Sequence, residues 1–242
     1  MLKIPQSLAR LGARTTGIDA SEANIGIAST HAAADPQFAR SAKSLKYLHT
    51  TAEALLAEGK QYDVVCSLEV IEHVATPSEF LHACAQLVKV GDSFRFIRSS
   101  SPRALATRSD HTLVQPGGHL FLSTISRTPL AYALTILAAE NILRIVTPGT
   151  HSYSKFIKPS ELLSFFQEYP APRFASKIGE HEKPWITRLY NGLPARKEAE
   201  ARGLIYVPWD GRWILTDRSS TSIDFGLSTL CDYIFWVRKP NN

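Results

Sequence analysis

Two carboxylates and an imidazole fall within five residues of each other in the stretch YDVVCSLEVIEH, at Glu69, Glu72 and His73. Their spacing of i, i+3 and i+4 places all three on one face if the chain makes a single helical turn there. Hard oxygen donors joined by one imidazole suit a hard or borderline divalent cation. A second reading needs no ligand: acidic residues favour the first turn of a helix, where they meet the positive end of its dipole. His73 also has the chemistry of a general base. The two carboxylates beside it favour ligation over that role.

Such a cluster works only if rigid elements deliver it. Residues 62–68 form an apolar run that reads as a buried parallel strand ending just before Glu69. In open α/β sheets, ligands bind outside the carboxyl ends of strands. PGGHLFLST at 116–124 reads as a glycine turn entering a second strand over 119–124, and residues 15–18 form another that ends at Asp19. Ser21 or Asp19 is placed to cap a helix reaching about His31. A short strand over 46–48 and a helix over 51–58 follow. Thr76-Pro77-Ser78-Glu79 predicts a helix start leading to about Leu87, and Lys158-Pro159-Ser160-Glu161 predicts another. Residues 205–207 and 233–237 predict a closing antiparallel hairpin.

Composition bounds the classes. The 242 residues, 44% hydrophobic and 20% charged, suffice for one domain with a substantial core. A formal charge of +5 with no Lys/Arg run or aromatic–basic array argues against nucleic acid as a partner. Cys66, Cys84 and Cys231 are far apart, which predicts reduced, buried thiols rather than disulfides. MLKIPQSLAR has no apolar core long enough for a secretory signal and is short for a transit peptide. The nearest approach to a membrane segment is 129–146, PLAYALTILAAENILRIV, broken by Glu140, Asn141 and Arg144. By composition it is a buried helix or an interfacial one.

The order of strand ends, helices and PGG turn resembles the class I S-adenosylmethionine-dependent methyltransferases. More narrowly, SLARLGARTTGIDAS, YDVVCSLEVIEHV, PGGHLFLSTISRT, the tract TISRTPLAYALTILAAENILRIVTPGTHSYSKFIKP, EARGLIYVPWDGRW and DYIFWVRKP resemble the O-methyltransferases of ubiquinone biosynthesis, from about Ser7 to Pro240. The resemblance implies an α/β, Rossmann-like sheet with helices on both faces, in a single domain over 1–242. It implies transfer of a methyl group from S-adenosylmethionine to a catechol hydroxyl of a polyprenyl-dihydroxybenzoate and of demethylubiquinol. It further implies that Asp19 receives the ribose hydroxyls of the cofactor, with Ala52 and Glu53 near the adenine and Leu68 lining the pocket. Glu69, Glu72 and His73 would hold Mg²⁺ or a similar cation, which lowers the pKa of the attacking oxygen. Residues 127–158 become a membrane- and substrate-facing segment. The expected setting is the matrix side of the mitochondrial inner membrane, in a complex with other ubiquinone-biosynthesis proteins.

Two departures stand beside the match. The family's first strand and its D-x-G-C-G-x-G loop are expected to be missing, since only MLKIPQ precedes the matching segment and neither Gly12 nor Gly17 stands in a G-x-G loop. Loss of that central strand leaves two ladders without partners. Residues 90–115, rich in Ser and Arg, interrupt the family's run from LVK to PGGH. Val90 requires a codon beginning GT and Gln115 permits CAG, so a translated retained intron is expected; a genuine loop near the site is the alternative. These departures admit competing readings: a non-catalytic, lipid-facing member of a quinone-synthesis assembly, or an inactive fragment of an incompletely predicted gene.

Overall fold

The computed structural model describes residues 3–39, 44–90, 117–170, 183–207, 209–217 and 229–240. All of the expected insertion over 90–115 except Val90 lies outside the described residues. Nine strands and seven helices are assigned among them. In chain order they are α1 (Lys3–Arg10), β1 (Thr15–Asp19), α2 (Glu22–Ala33), α3 (Pro36–Ala39), β2 (Leu45–His49), α4 (Ala52–Ala57), β3 (Val64–Leu68), α5 (Pro77–Leu87) and β4 (His119–Ile125). Then come α6 (Pro129–Ala131), continued as a π-helix over Tyr132–Ile142, α7 (Pro159–Glu168), the short pair β5 (Leu189–Tyr190) and β6 (Leu193–Pro194), β7 (Ala199–Val207), β8 (Arg212–Leu215) and β9 (Asp232–Arg238).

Local signals set most of the starts. Ser21 caps α2 by accepting from Asn24 N, and Thr51 caps α4 by accepting from Ala54 N. Pro77 and Pro159 open α5 and α7, and Glu161 reaches back to accept from Lys158 N at 2.8 Å. Thr128 Oγ1 accepts from Ala131 N at 3.1 Å and so starts α6.

Apart from the short β5–β6 pair, the strands fall into two units. β1 and β2 form a ladder of their own, with Gly17 opposite Tyr47 and Asp19 opposite His49. A five-stranded sheet runs β3-β4-β9-β7-β8, with β3–β4 parallel and every other pair antiparallel. Among the described residues no strand lies between β1 and β3. Successive strand side chains point to opposite faces, and this shows what covers the ladder. Gly17 and Tyr47 face Pro5 of α1, so closely that a Cβ on Gly17 would lie 2.7 Å from Tyr47. Ile18 and Leu48 face α4 and α5, packing on Ala52, Leu55, Ala83 and Leu87. Helices therefore lie on both faces of the ladder.

The larger core belongs to the five-stranded sheet. Leu120, Leu122, Phe235 and Val237 share one face and pack against Cys84 and Ala85 of α5 and Leu162 and Phe166 of α7. On the other face Phe121, Ile234 and Trp236 are only half-buried. The 62–68 run is therefore not the buried strand expected: Val64 is 48% exposed and Cys66 is exposed too. Cys84 is buried and Cys231 half-buried, and all three cysteines are free thiols. The PGG turn does what its glycines suggest. A Cβ on Gly118 would lie 2.3 Å from Val88 Cγ1 and 2.8 Å from the Lys89 carbonyl, so only glycine passes.

The closing strands also differ in detail from expectation. β7 and β9 are antiparallel neighbours, but the hairpin itself joins β7 to β8, and β9 is inserted between β4 and β7.

Candidate active site

The parallel register of β3 and β4 pairs Leu68 with Ser123, so the next residue of each strand emerges at one carboxyl end. Glu69 N donates to the Ser123 carbonyl at 3.0 Å and to its hydroxyl at 3.2 Å. Glu69 then takes a left-handed backbone, φ 53°. For a residue with a Cβ this costs on the order of 1 kcal/mol and occurs where the surroundings enforce it. The bend brings Oε1 within 2.6 Å of the Ser123 hydroxyl, which donates to it.

Residues 69–73 do not form the helical turn that the spacing suggested. They make a tight turn closed by His73 N donating to the Val70 carbonyl at 2.9 Å, and α5 starts only at Pro77. Glu72 is nevertheless carried inward, to 3% exposure, where the Thr124 hydroxyl donates to Oε2 at 2.9 Å. Its other oxygen, Oε1, is buried and has no hydrogen-bond partner among the described residues. His73 Nε2 lies 3.8 Å from it, on a side chain that is 44% exposed.

Burial of paired carboxylates has an electrostatic consequence. Burial, then the neighbouring charge of Glu72, pushes the Glu69 carboxyl up to about 7. Glu72 is raised as well, chiefly by burial. Asp232, at the start of β9, is pushed up to about 6 by burial and then by Glu69. His73 is held below its usual value, chiefly by burial. The arrangement is an acidic cluster whose carboxyls are all raised, with hydroxyls holding one oxygen of each glutamate.

Sequence reasoning missed Ser123, Thr124, Asp232 and His151 as neighbours of this pocket. The first two were visible as the polar end of an apolar strand. His151 comes from the loop after α6 and its π-helical extension, and its ring centroid lies 5.8 Å from that of His73. Of the three expected metal ligands, the structure brings Glu69 and Glu72 together and leaves His73 at the rim. Among the described residues no group of three or more His, Cys, Asp or Glu is drawn close enough to hold a metal ion.

The expected cofactor residues lie at strand ends on either side of the break in the sheet. Asp19 ends β1, where Oδ1 accepts from Ser21 N at 2.8 Å and Oδ2 from Asn24 Nδ2 at 3.2 Å. Here Asp19 braces the start of α2. Ala52 and Glu53 form the first turn of α4, Ala52 buried and Glu53 exposed. Leu68 ends β3, half-buried. Asp19, Ala52 and Glu53 thus share the ladder, whereas Leu68 belongs to the other sheet.

Comparison with known proteins agrees with this layout. A family model described as a methyltransferase domain matches residues 3–96. The ubiquinone biosynthesis O-methyltransferase of Roseobacter denitrificans is 39% identical over 165 residues, 68% of this chain and 54% of that protein. The mitochondrial ubiquinone biosynthesis O-methyltransferase of Arabidopsis thaliana is 36% identical over 219 residues, 90% of this chain and 51% of that protein. The chain thus spans about half the length of these curated relatives. A solved structure described as "Conversion of a Disulfide Bond into a Thioacetal Group during Echinomycin Biosynthesis" superposes with a TM-score of 0.50 at 14% identity, covering 98% of this chain and 70% of that one. That likeness concerns the fold alone. Matched by these proteins over most of its length, and with its acidic pocket at the carboxyl ends of parallel strands, the chain is a relative of the ubiquinone biosynthesis O-methyltransferases and carries the α/β class I methyltransferase fold.

Proposed function

We propose that the chain serves methyl transfer from S-adenosylmethionine to a catechol hydroxyl of a polyprenylated substrate in ubiquinone biosynthesis. The observation that carries the reading is the pair of half-buried Glu69 and buried Glu72 beside Ser123 and Thr124, in a chain related to proteins named for that reaction. A phenolic oxygen must lose its proton to attack a methyl group. Without a bound cation, a carboxyl held near 7 changes protonation where a cell operates, and in that state Glu69 is suited to take up the proton. Thr124 and Ser123 keep the carboxylates turned toward the strand ends.

The donor chemistry fits a hard cation, because two carboxylates are pressed together and Glu72 Oε1 is buried without a partner. Glu69 and Glu72 would supply its first donors, and His73 would have to join them from the rim. A bound Mg²⁺ supplies acidity to a coordinated hydroxyl. On the cofactor side, Asp19 would receive the ribose hydroxyls, with Ala52 and Glu53 toward the adenine and Leu68 toward the pocket floor.

The 127–158 segment supports a peripheral membrane setting. Leu134, Leu137, Ile142, Leu143 and Ile145 are exposed along and just after the helix. Among the described residues no helix is long and apolar enough to cross a membrane. An apolar surface of this kind suits contact with lipid and with a polyprenyl tail. We place the protein on the matrix side of the mitochondrial inner membrane, with other ubiquinone-biosynthesis proteins as partners. The separate β1–β2 ladder and the exposed apolar helix also favour a second reading, a lipid-facing member of the assembly without catalysis. We further read residues 90–115 as an insertion to the family pattern.

Methyl transfer to a polyprenylated catechol separates these readings. Activity that falls in Glu69→Ala and Glu72→Ala and is partly rescued by raised Mg²⁺ supports the cation site. Rates unchanged in both variants after chelation remove it, and no transfer by the unaltered chain favours the second reading.

A further inference from the structure

Glu140 is out of place in its surroundings. It sits on the π-helix over Tyr132–Ile142, among apolar residues, yet is only 1% exposed. Burying a carboxylate is costly unless hydrogen bonds replace its water, and here they do. Oε2 accepts from Gly149 N at 2.8 Å, and Oε1 accepts from His151 N at 2.9 Å. The His151 ring nitrogen Nδ1 lies 2.6 Å from the same Oε1. Backbone amides only donate, so both carboxylate oxygens act as acceptors and the proton of the third contact belongs to Nδ1.

We propose that Glu140 is a positioning residue that fixes His151 as its Nδ1–H tautomer, so that Nε2 serves as a hydrogen-bond acceptor for a phenolic hydroxyl bound at the Glu69–Glu72 pocket. The inference rests on the reading of that pocket as a catechol site. Three observations carry it. The tautomer follows from the Glu140 contacts, since the second ring nitrogen must then be unprotonated in the neutral ring. The ring is located by the same loop backbone that Glu140 grips, and its side chain is only 16% exposed, beside Phe156 at 6.3 Å. It adjoins the pocket, 5.8 Å from His73 between ring centroids. One buried carboxylate thus ties the lipid-facing helix to an acceptor at the site.

The test is nuclear magnetic resonance of the full chain labelled with ¹⁵N-histidine and ¹³C-glutamate, with the soluble catechol 3,4-dihydroxybenzoate as probe. Loss of one signal among the eight histidines in His151→Gln makes the assignment. His151 should show the Nδ1–H tautomer, and the catechol should shift its Nε2 signal. In Glu140→Ala the tautomer should relax to the Nε2–H form, and catechol affinity should fall about tenfold, or ~1.4 kcal/mol. An Nε2–H tautomer in the unaltered chain overturns the proposal, whether or not the variant folds. A catechol that shifts the Glu69 and Glu72 carboxyl signals but not His151 also overturns it, while leaving the site reading intact. A catechol that shifts neither overturns both.

Discussion

At the carboxyl end of β3 and β4, every strand residue has a neighbour and both Glu69 and Glu72 have a hydroxyl on one oxygen. At the carboxyl end of β1 and β2, Asp19 spends its oxygens on the start of its own following helix. The first region is backed by a large core of aromatic and aliphatic side chains, the second by a cluster of four buried residues. Both are parallel pairs with acidic residues at their ends, so topology alone does not distinguish them. What differs is lateral support. β4 is flanked on both edges, whereas β1 has β2 on one edge and no described strand on the other. A strand end becomes a site when its neighbours fix where the side chains point.

The contrast in cores is the easiest to break. Phe166 is fully buried and stacks on Trp185 at 5.3 Å and Phe235 at 6.0 Å. Phe166→Ala should cost about 3–5 kcal/mol, and Leu55→Ala under the ladder only about 2–3 kcal/mol. Denaturant midpoints measure both. Equal losses would mean that the two regions share one core.

A smaller effect is expected at the lipid-facing helix. Leu134, Leu137 and Ile142 are 49%, 47% and 68% exposed, whereas Ile136 packs against the cluster of Ile125, Ala131 and Phe156. Changing the three exposed residues to Ser should remove on the order of 1 kcal/mol each of vesicle affinity and leave the fold intact. Flotation with anionic vesicles reads this out. A folded triple variant that still floats would move the membrane contact elsewhere.

The smallest effect is the part of the pH dependence of stability that the Glu69 cluster contributes. Glu69 has its carboxyl raised from 4.5 to about 7 in the folded chain. Its contribution is full below about 4.5 and is lost as pH rises through about 7, because the folded state then binds more protons than the unfolded one. Asp232, raised to about 6, adds a loss of the same sign. Thermal midpoints should therefore decline from pH 5 to about 7, and Glu69→Gln should flatten that slope. An unchanged slope in the variant would mean that Glu69 is not buried as described.

Much of this was legible in the sequence because it is local. Ser21, Thr51, Pro77 and Pro159 announce their helices through capping chemistry acting over three residues. The nearness of Glu69 and Glu72 was also legible, although the i, i+3 spacing suggested a helix and the chain makes a turn through a left-handed Glu69 instead. The remainder depends on contacts between distant residues. Val64 looks like core by composition and is exposed because of what lies beside β3. All four residues of β8 are exposed, so RWIL carries no alternation to read. Glu140 was visible as a charge in an apolar run, but its partner His151 emerges only once the helix and the following loop have folded.

The proposal stands or falls on the Glu69–Glu72 pair as the acceptor side of the site, across from the cofactor side proposed at Asp19, Ala52, Glu53 and Leu68. On the cofactor side, the space beside Gly17 is filled by Tyr47 and Pro5. Titration calorimetry on the full 242-residue chain compares the two sides directly, with 3,4-dihydroxybenzoate plus Mg²⁺ against S-adenosylmethionine. Measurable catechol binding that is lost in Glu72→Gln is expected, and S-adenosylmethionine binding that is unchanged in that variant. No catechol binding by the unaltered chain, or binding unchanged in Glu72→Gln, would contradict the proposal.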